Sequence, residues 1–513
     1  MTTTDAAPNP LREGLERERV PDPSVLVIFG ASGDLTQRKL LPALYSLAHD
    51  GLLPPGQTII GFARQEYNDE SFRKAMREAC DKHARTKPVD DAIWDVFARG
   101  LFYEQGDFGD ASAYQRLRKR LEEFDATRGT GGRRLYYLAV PPQFFEPIAD
   151  RLGDEKMVHS PDSGEPYTRV IIEKPFGHDL ATALELNRVV VRAFSEAQVF
   201  RIDHYLGKET VQNLMTLRFA NGLFEPFWNR QYIDHIQFTV AESIGVEKRG
   251  NYFEQSGIAR DIIQNHMLQL VSLVAMEPPA AFDANAIRDE KVKVLRALRE
   301  LRGHEENAVR GQYAAGSISG EEVPAYRQEE NVDPQSRVET FAALRLFIDN
   351  WRWADVPFYV RAGKRLPKRV TEISIHFRPA PFALLKTLMR NPPTPNVLAI
   401  RIQPDEGIAL KFDAKVPGPE MRTAPVTMDF RYETSFGGEP PEAYERLLLE
   451  AMEGDATLFA RRDEIETAWA WLDPLLESWS QSGSGPEMYA AGTWGPEAAD
   501  RLIEGDGRRW RRP

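Results

Sequence analysis

Residues 25–35 read VLVIFGASGDL: five apolar residues run straight into a turn holding two glycines, Gly30 and Gly33, and a helix-period segment with Leu40, Leu41, Leu44 and Leu47 follows. A strand that feeds a glycine-bearing turn and then a helix is the opening of a dinucleotide-binding βαβ unit, because small residues let the backbone approach a pyrophosphate at a helix N-terminus. The G-x-G-x-x-G pattern is incomplete, with Ser32 and Leu35 where its second and third glycines belong. A tight structural turn is therefore the alternative. The cofactor reading assigns Gly30, Ser32, Gly33, Asp34 and Leu35 to the phosphate-facing turn.

Outward from this turn, short apolar runs alternate with helix-period segments, predicting six strands at 25–29, 58–61, 101–105, 135–140, 170–173 and 198–202. After His204 the rhythm changes. A helix is expected near 208–219, a strand near 234–241, a strongly apolar helix over about 257–276 and another over 289–301. Strand-like runs at 339–348, 370–377, 396–403 and 407–412 then lie close enough in sequence for mainly antiparallel pairing. At 513 residues the chain exceeds the ~250–300 residues of one core. The fold class is α/β: an N-terminal Rossmann-like dinucleotide-binding domain (24–202) plus a C-terminal α+β domain (203–513) with a large, mainly antiparallel sheet. Residues 1–23, polar and Pro-containing, read as a disordered lead-in.

The second predicted strand runs into Phe62-Ala63-Arg64-Gln65. An NAD site commonly carries an acid near this point for the ribose 2′-hydroxyl. Arg64 instead suits a 2′-phosphate, and Gln65 adds a neutral donor, so NADP is the expected cofactor unless Arg64 is only a solvated surface residue.

Composition narrows the class. A formal net charge of −12 argues against nucleic-acid binding, and no apolar run approaches a membrane span. The first residues lack the apolar stretch of a secretory signal, and the single cysteine, Cys80, falls on an apolar stripe with Phe72, Met76 and Ala79, so a cytoplasmic protein is expected. The basic end, Arg508-Arg509-Trp510-Arg511-Arg512, reads as a solvated tail.

The window RIDHYLGKE at 201–209 sits between the sixth strand and a helix, at the kind of carboxyl edge where open α/β sheets bind ligands. His204, Tyr205 and Lys208 offer donors to a phosphate beside helix N-terminal amides, although polar residues of an ordinary strand-to-helix junction would look the same. Together with GASGDL at 30–35, EKPFG at 173–177 and RDIIQNHMLQ at 260–269, this window resembles the glucose-6-phosphate dehydrogenase family. RDEKVKVL at 288–295, GQY at 311–313, RAGK at 361–364 and AYERL at 443–447 extend the resemblance from about Val25 into the last hundred residues.

The resemblance implies oxidation of glucose 6-phosphate to a lactone with NADP as acceptor, at the head of the oxidative pentose-phosphate pathway, in a homodimer or homotetramer built through the C-terminal sheet. It assigns His266 as general base and Asp203 as the carboxylate that orients its imidazole. An imidazole with a pKa near ~6.5 suits proton removal at neutral pH. Residue pattern alone favours a core histidine, since helical neighbours of His266 are almost all apolar. Lys174 is implied to reach both nicotinamide and sugar, from a cis Lys174–Pro175 peptide. Glu242, Asp261 and Lys364 match substrate-binding positions, each with a surface or ion-pair reading as alternative. No metal is implied. Where bacterial relatives carry a second substrate lysine the chain has Arg369, beside Lys368. A noncatalytic NADP-binding regulatory or assembly protein on the same fold is the competing reading.

Overall fold

The computed structural model describes residues 20–160, 166–301, 305–380, 394–420, 422–437 and 441–513, so most of the expected lead-in lies outside the described residues. Two compact units emerge, the first comprising 1–172, 192–200 and 444–455, the second 173–191, 201–443 and 456–513.

The first unit is built on β1 (Val25–Phe29), β2 (Thr58–Ala63), β3 (Leu101–Gln105), β4 (Arg134–Leu138), β5 (Thr168–Ile172) and the start of β6 (Val199–Ile202), in the spatial order β6-β5-β4-β1-β2-β3. β1 pairs in parallel with β2 and β4, β2 with β3, and β4 with β5. This is the doubly wound dinucleotide-binding order. Every residue of β1, β2 and β4 is buried, as helices on both faces demand. The carboxyl end of β1 is packed by aromatics: Phe29 stacks on Tyr114 and tilts against Phe62. Cys80 is buried in the helix Asp69–His83 with Phe72, Met76 and Ala79, and burial pushes its thiol up to about 12. That helix starts at a reciprocal cap in which Asn68 accepts from Ser71 N–H and Ser71 Oγ from Asn68 N–H.

The second unit holds β7 (Ile233–Ala241), β8 (Ala308–Ala314), β9 (Phe341–Leu346), β10 (Phe358–Gly363), β11 (Val370–Phe377), β12 (Val397–Gln403), β13 (Gly407–Lys415), β14 (Thr423–Arg431) and β15 (Glu487–Ala490). They form one sheet ordered β14-β13-β12-β11-β7-β10-β9-β8-β15, antiparallel except for the β7·β10 and β8·β15 pairs. β8, β10, β14 and β15 are additions to the expected strands. The expected apolar helix 257–276 is a composite: an α-helix Gly250–Ile258, a π-helical stretch Ala259–Met267 and an α-helix Leu268–Ala275. The next helix runs Ala284–Arg296, earlier than expected, because Asp283 caps it by accepting from Asn285 and Ala286 N–H.

The basic C-terminus is not a solvated tail. Trp510 is buried, its indole N–H donating to Ala499 O, and its ring packs against the buried Arg361 guanidinium. Arg508 forks onto Asp234 and Arg511 bonds Glu372, so two of its charges meet acids carried by β11 and β7. Among the described residues no helix is long and apolar enough to cross a membrane.

Candidate functional site

In the first unit the turn after β1 closes on itself. Gly33 N–H donates to Gly30 O at 2.9 Å, Thr36 Oγ1 reaches the same carbonyl at 3.2 Å, and Gln37 Nε2 holds Ser32 O at 3.0 Å. Gly30 has φ +89° and a Cβ there would lie 2.3 Å from Ala139 O, so the turn requires glycine. No such demand exists at Ser32 or Leu35, which explains how the motif departs from its usual glycines while keeping its shape. Asp34 faces solvent and pairs with Arg38 at 2.8 Å. This bare-backbone turn opening a helix fits a dinucleotide pyrophosphate. Arg64 is exposed directly after β2, its guanidinium 5.9 Å from the Phe144 ring centroid, and Gln65 Nε2 donates to Tyr67 Oη at 3.0 Å. The backbone beneath them is fixed by Tyr103, whose hydroxyl donates to Ala63 O and Gln65 O.

The second unit gathers the predicted substrate and catalytic residues. Asp203, the residue directly after β6, is buried; its Oδ1 accepts from His266 Nδ1–H at 2.5 Å and from Tyr205 N–H at 3.0 Å. With Nδ1 donating, the other ring nitrogen carries a lone pair, and Lys174 Nζ donates to that Nε2 at 3.1 Å. Tyr205 stacks on the imidazole with ring centroids 4.3 Å apart and His204 meets it edge-on at 4.5 Å, so the ring cannot turn. The Lys174–Pro175 peptide is cis. Lys174 Nζ also donates to Asp261 O and Oδ1, both at 3.1 Å, and Tyr252 Oη donates to the same Oδ1 at 3.2 Å.

Electrostatics follow the geometry. Burial opposes the charge on Asp203, but the His266 charge and hydrogen bond, with His204 and Tyr205 N–H, hold its carboxyl well below the usual range. Burial likewise disfavours the Asp261 carboxylate and is outweighed by Lys174, Lys364 and Arg249. His266 titrates below an ordinary histidine: burial lowers it most, Asp203 partly restores it, and Lys174 lowers it again. Burial, then the His266 charge, push His204 well below the usual value.

Lys364 and Glu242 form a direct ion pair, with Lys364 5.1 Å from the Phe253 ring centroid. Lys208 Nζ and Arg369 Nη2 converge on one acceptor, Gln403 Oε1, at 2.9 and 3.4 Å. Gln403 in turn donates to Thr371 Oγ1 at 3.0 Å, and the Tyr205 hydroxyl lies 3.3 Å from the same oxygen. Gln403, Thr371 and Tyr252 are absent from the sequence expectation, since nothing in their local patterns marks them. Two cations sharing a neutral oxygen is a geometry an anionic oxygen would fit better. Asp203, His204 and His266 also bring three potential ligand atoms within 4.8 Å. The 2.5 Å Asp203–His266 contact is shorter than two ligands of one ion stand apart, so it describes a hydrogen-bonded dyad.

The profile of the glucose-6-phosphate dehydrogenase NAD binding domain matches residues 27–213, and that of the glucose-6-phosphate dehydrogenase C-terminal domain matches 215–511. The chain is 49% identical to a glucose-6-phosphate 1-dehydrogenase of Chlamydia pneumoniae over 503 residues, covering 97% of this chain and 98% of the relative. It is 51% identical to the Aggregatibacter actinomycetemcomitans protein of that name over 490 residues, 95% and 97% of the two chains. A solved glucose-6-phosphate dehydrogenase in complex with its substrate glucose-6-phosphate superposes with a TM-score of 0.88 at 37% identity, covering 97% of this chain and 100% of that one. With both halves of the family matched and near-complete coverage of its relatives, the chain belongs to the glucose-6-phosphate dehydrogenase family.

Proposed function

We propose that this protein is a glucose-6-phosphate 1-dehydrogenase that oxidises D-glucose 6-phosphate at C1 to 6-phospho-D-glucono-1,5-lactone with NADP. The observation that carries the reading is the dyad: His266 Nδ1–H on Asp203 leaves Nε2 basic and rigidly aimed. Bound NADP supplies the hydride acceptor. His266 Nε2 takes the proton of the 1-hydroxyl, Asp203 stabilises the imidazolium that results, and the flanking Tyr205 and His204 rings hold the base in line. The lowered titration of His266 keeps it neutral, and so able to accept, at physiological pH. Lys174, now bonded to Nε2, moves its hydrogen bond to the incoming hydroxyl oxygen. Lys208, His204, Tyr205 and Arg369 serve the phosphate, while Glu242, Asp261 and Lys364 serve the sugar hydroxyls.

Residues 24–202 act as the NADP-binding domain, with Gly30, Ser32, Gly33, Asp34 and Leu35 at the pyrophosphate and Arg64 and Gln65 at the 2′-phosphate. Residues 203–513 form the substrate-binding and oligomerisation domain. The exposed outer strand β14, with Val426 and Met428 open to solvent, supports a homodimer or homotetramer assembled through this sheet. A cytoplasmic setting accords with the lone cysteine, buried and outside any disulfide, and the proposed reaction stands at the head of the oxidative pentose-phosphate pathway. The test is NADPH formation by purified protein given glucose 6-phosphate. Turnover with another hexose phosphate alone would reassign the substrate, and NADP binding without any turnover would favour a noncatalytic regulator.

A further inference from the structure

Behind the dyad lies a second polar layer. Asp203 Oδ2 is buried and has no protein partner among the described residues, although Oδ1 accepts two hydrogen bonds. Asp203 lines a cavity of about 20 Å³ that Gln269 and Glu464 line as well. Gln269 donates through Nε2 to Glu464 Oε2 at 3.2 Å, which fixes the amide orientation because a carboxylate accepts only; its Oε1 is then a buried acceptor without a partner among the described residues. Glu464 is itself pinned from two other sides, Oε2 lying 2.7 Å from Lys291 Nζ and Oε1 accepting from Arg461 N–H at 2.9 Å. Glu464 is 0% exposed and Lys291 1%. Two residues that each carry an orphan acceptor thus line one cavity large enough for a water molecule, and a water is the small molecule with two protons to donate.

We propose that a buried water in this cavity donates to Asp203 Oδ2 and Gln269 Oε1, making Gln269, held by Glu464 and Lys291, a positioning residue for the His266 base. The inference rests on the reading of His266 as base. Its chemistry is that of any outer layer: a proton directed at Oδ2 partly offsets the carboxylate charge, and so sets how strongly Asp203 stabilises the protonated imidazole. The other charged and titratable groups facing the pair are Lys174, Asp261, His204, Tyr205 and Glu464, which lines the same cavity and is paired with Lys291. None of them is itself altered by a substitution at Gln269.

The test is the pH profile of kcat/KM for glucose 6-phosphate in wild type, Gln269→Leu and His266→Asn. Without its anchor the water no longer offsets Asp203, the imidazolium becomes easier to form, and the acid limb of Gln269→Leu moves to higher pH by roughly half a unit. Because the Asp203 carboxylate that has lost its anchored water holds the imidazole less firmly in line, kcat falls ~2–12-fold, the value of one net hydrogen bond, with KM within about twofold. A merely structural defect lowers kcat without moving the limb, so an unmoved or downward-moved limb overturns the proposal. Should Gln269→Leu not fold, the wild-type crystal structure at high resolution decides: density for a water bonded to both oxygens supports the assignment, and a dry cavity overturns it. Near-wild-type turnover by His266→Asn would remove the base reading and this inference with it. An inactive His266→Asn beside an unmoved Gln269→Leu limb removes the inference alone.

Discussion

Replacing Asp203 by Asn isolates the charge from the geometry. Oδ1 already accepts from two donors, His266 Nδ1–H and Tyr205 N–H, so the amide of Asp203→Asn is expected to keep its oxygen there and turn its NH₂ toward the cavity. The tautomer survives and the negative charge is lost. Opposite charges ~4 Å apart interact by about 4 kcal/mol at an effective dielectric of ~20. At ~1.36 kcal/mol per decade, and with the proton only partly transferred in the transition state, kcat should fall by ~10²–10³. The protonated imidazole also loses its main support, so the His266 titration, already lowered by burial, drops further. The acid limb of the profile therefore moves to lower pH, opposite to the shift expected for Gln269→Leu. The assay is the initial rate of NADPH formation across pH with saturating NADP, reported as kcat and KM separately. A loss under about threefold, or a limb displaced upward in a folded variant, would refute the dyad.

Arg64→Ala should weaken NADP by roughly ten- to a hundredfold and leave NAD little changed, the loss of one charge-assisted contact of ~1.5–3 kcal/mol; equal losses in kcat/KM for both cofactors would assign Arg64 to the fold instead. Lys208→Ala should raise KM for glucose 6-phosphate by at least tenfold while KM for NADP stays within twofold, because its ammonium shares the Gln403 acceptor with Arg369; comparable changes in both constants would count against a phosphate role. Burial pushes Glu450 up to about 7, so between its unfolded value and that pH the native state holds a proton the unfolded state has released, and stability declines as pH rises through that window. Glu450→Gln should then raise Tm at pH 8 and leave it nearly unchanged at pH 4, with scanning calorimetry at both values as the check; an equal gain at both pH values would show that charge is not the cause.

The strands of the first unit were legible because β1, β2 and β4 are buried on both faces and read as unbroken apolar runs. The four strands of the large sheet that the expectation lacks have no such signal, for separate reasons. β14, TAPVTMDFR, is largely exposed and contains Pro425, as an outer strand tolerates. β10, FYVRAG, is wholly buried but includes Arg361, whose cost of burial is offset by the Trp494 and Trp510 rings and the Arg511 carbonyl. β8 carries Arg310 and Gly311 within seven residues, and β15 has only four. The docked C-terminus was misread for a related reason: its arginines look solvated until Asp234 and Glu372, more than a hundred positions away, are brought beside them.

The site itself was legible through resemblance and not through periodicity, and the π-helical stretch explains why. Asp261 and His266 are five residues apart, which in an α-helix sets them ~140° apart at ~100° per residue. Read with that period, His266 falls among apolar neighbours and looks like core. In the wider turn of Ala259–Met267 the repeat is i to i+5, so both side chains come to one side and both meet Lys174 Nζ, at 3.1 Å each. Gly257 prepares that turn with φ +60°, where a Cβ would lie 2.3 Å from Glu339 Oε1, and Glu339 Oε1 accepts from Ala259 N–H just beyond the bend. A stretch that relaxed to α-helical winding would rotate His266 away from Lys174 or Asp261, and the lysine that now bonds both could keep only one. The winding, invisible in a hydrophobic period of 3.6, is thus what gives the one histidine of an apolar helix a charged partner on either ring nitrogen.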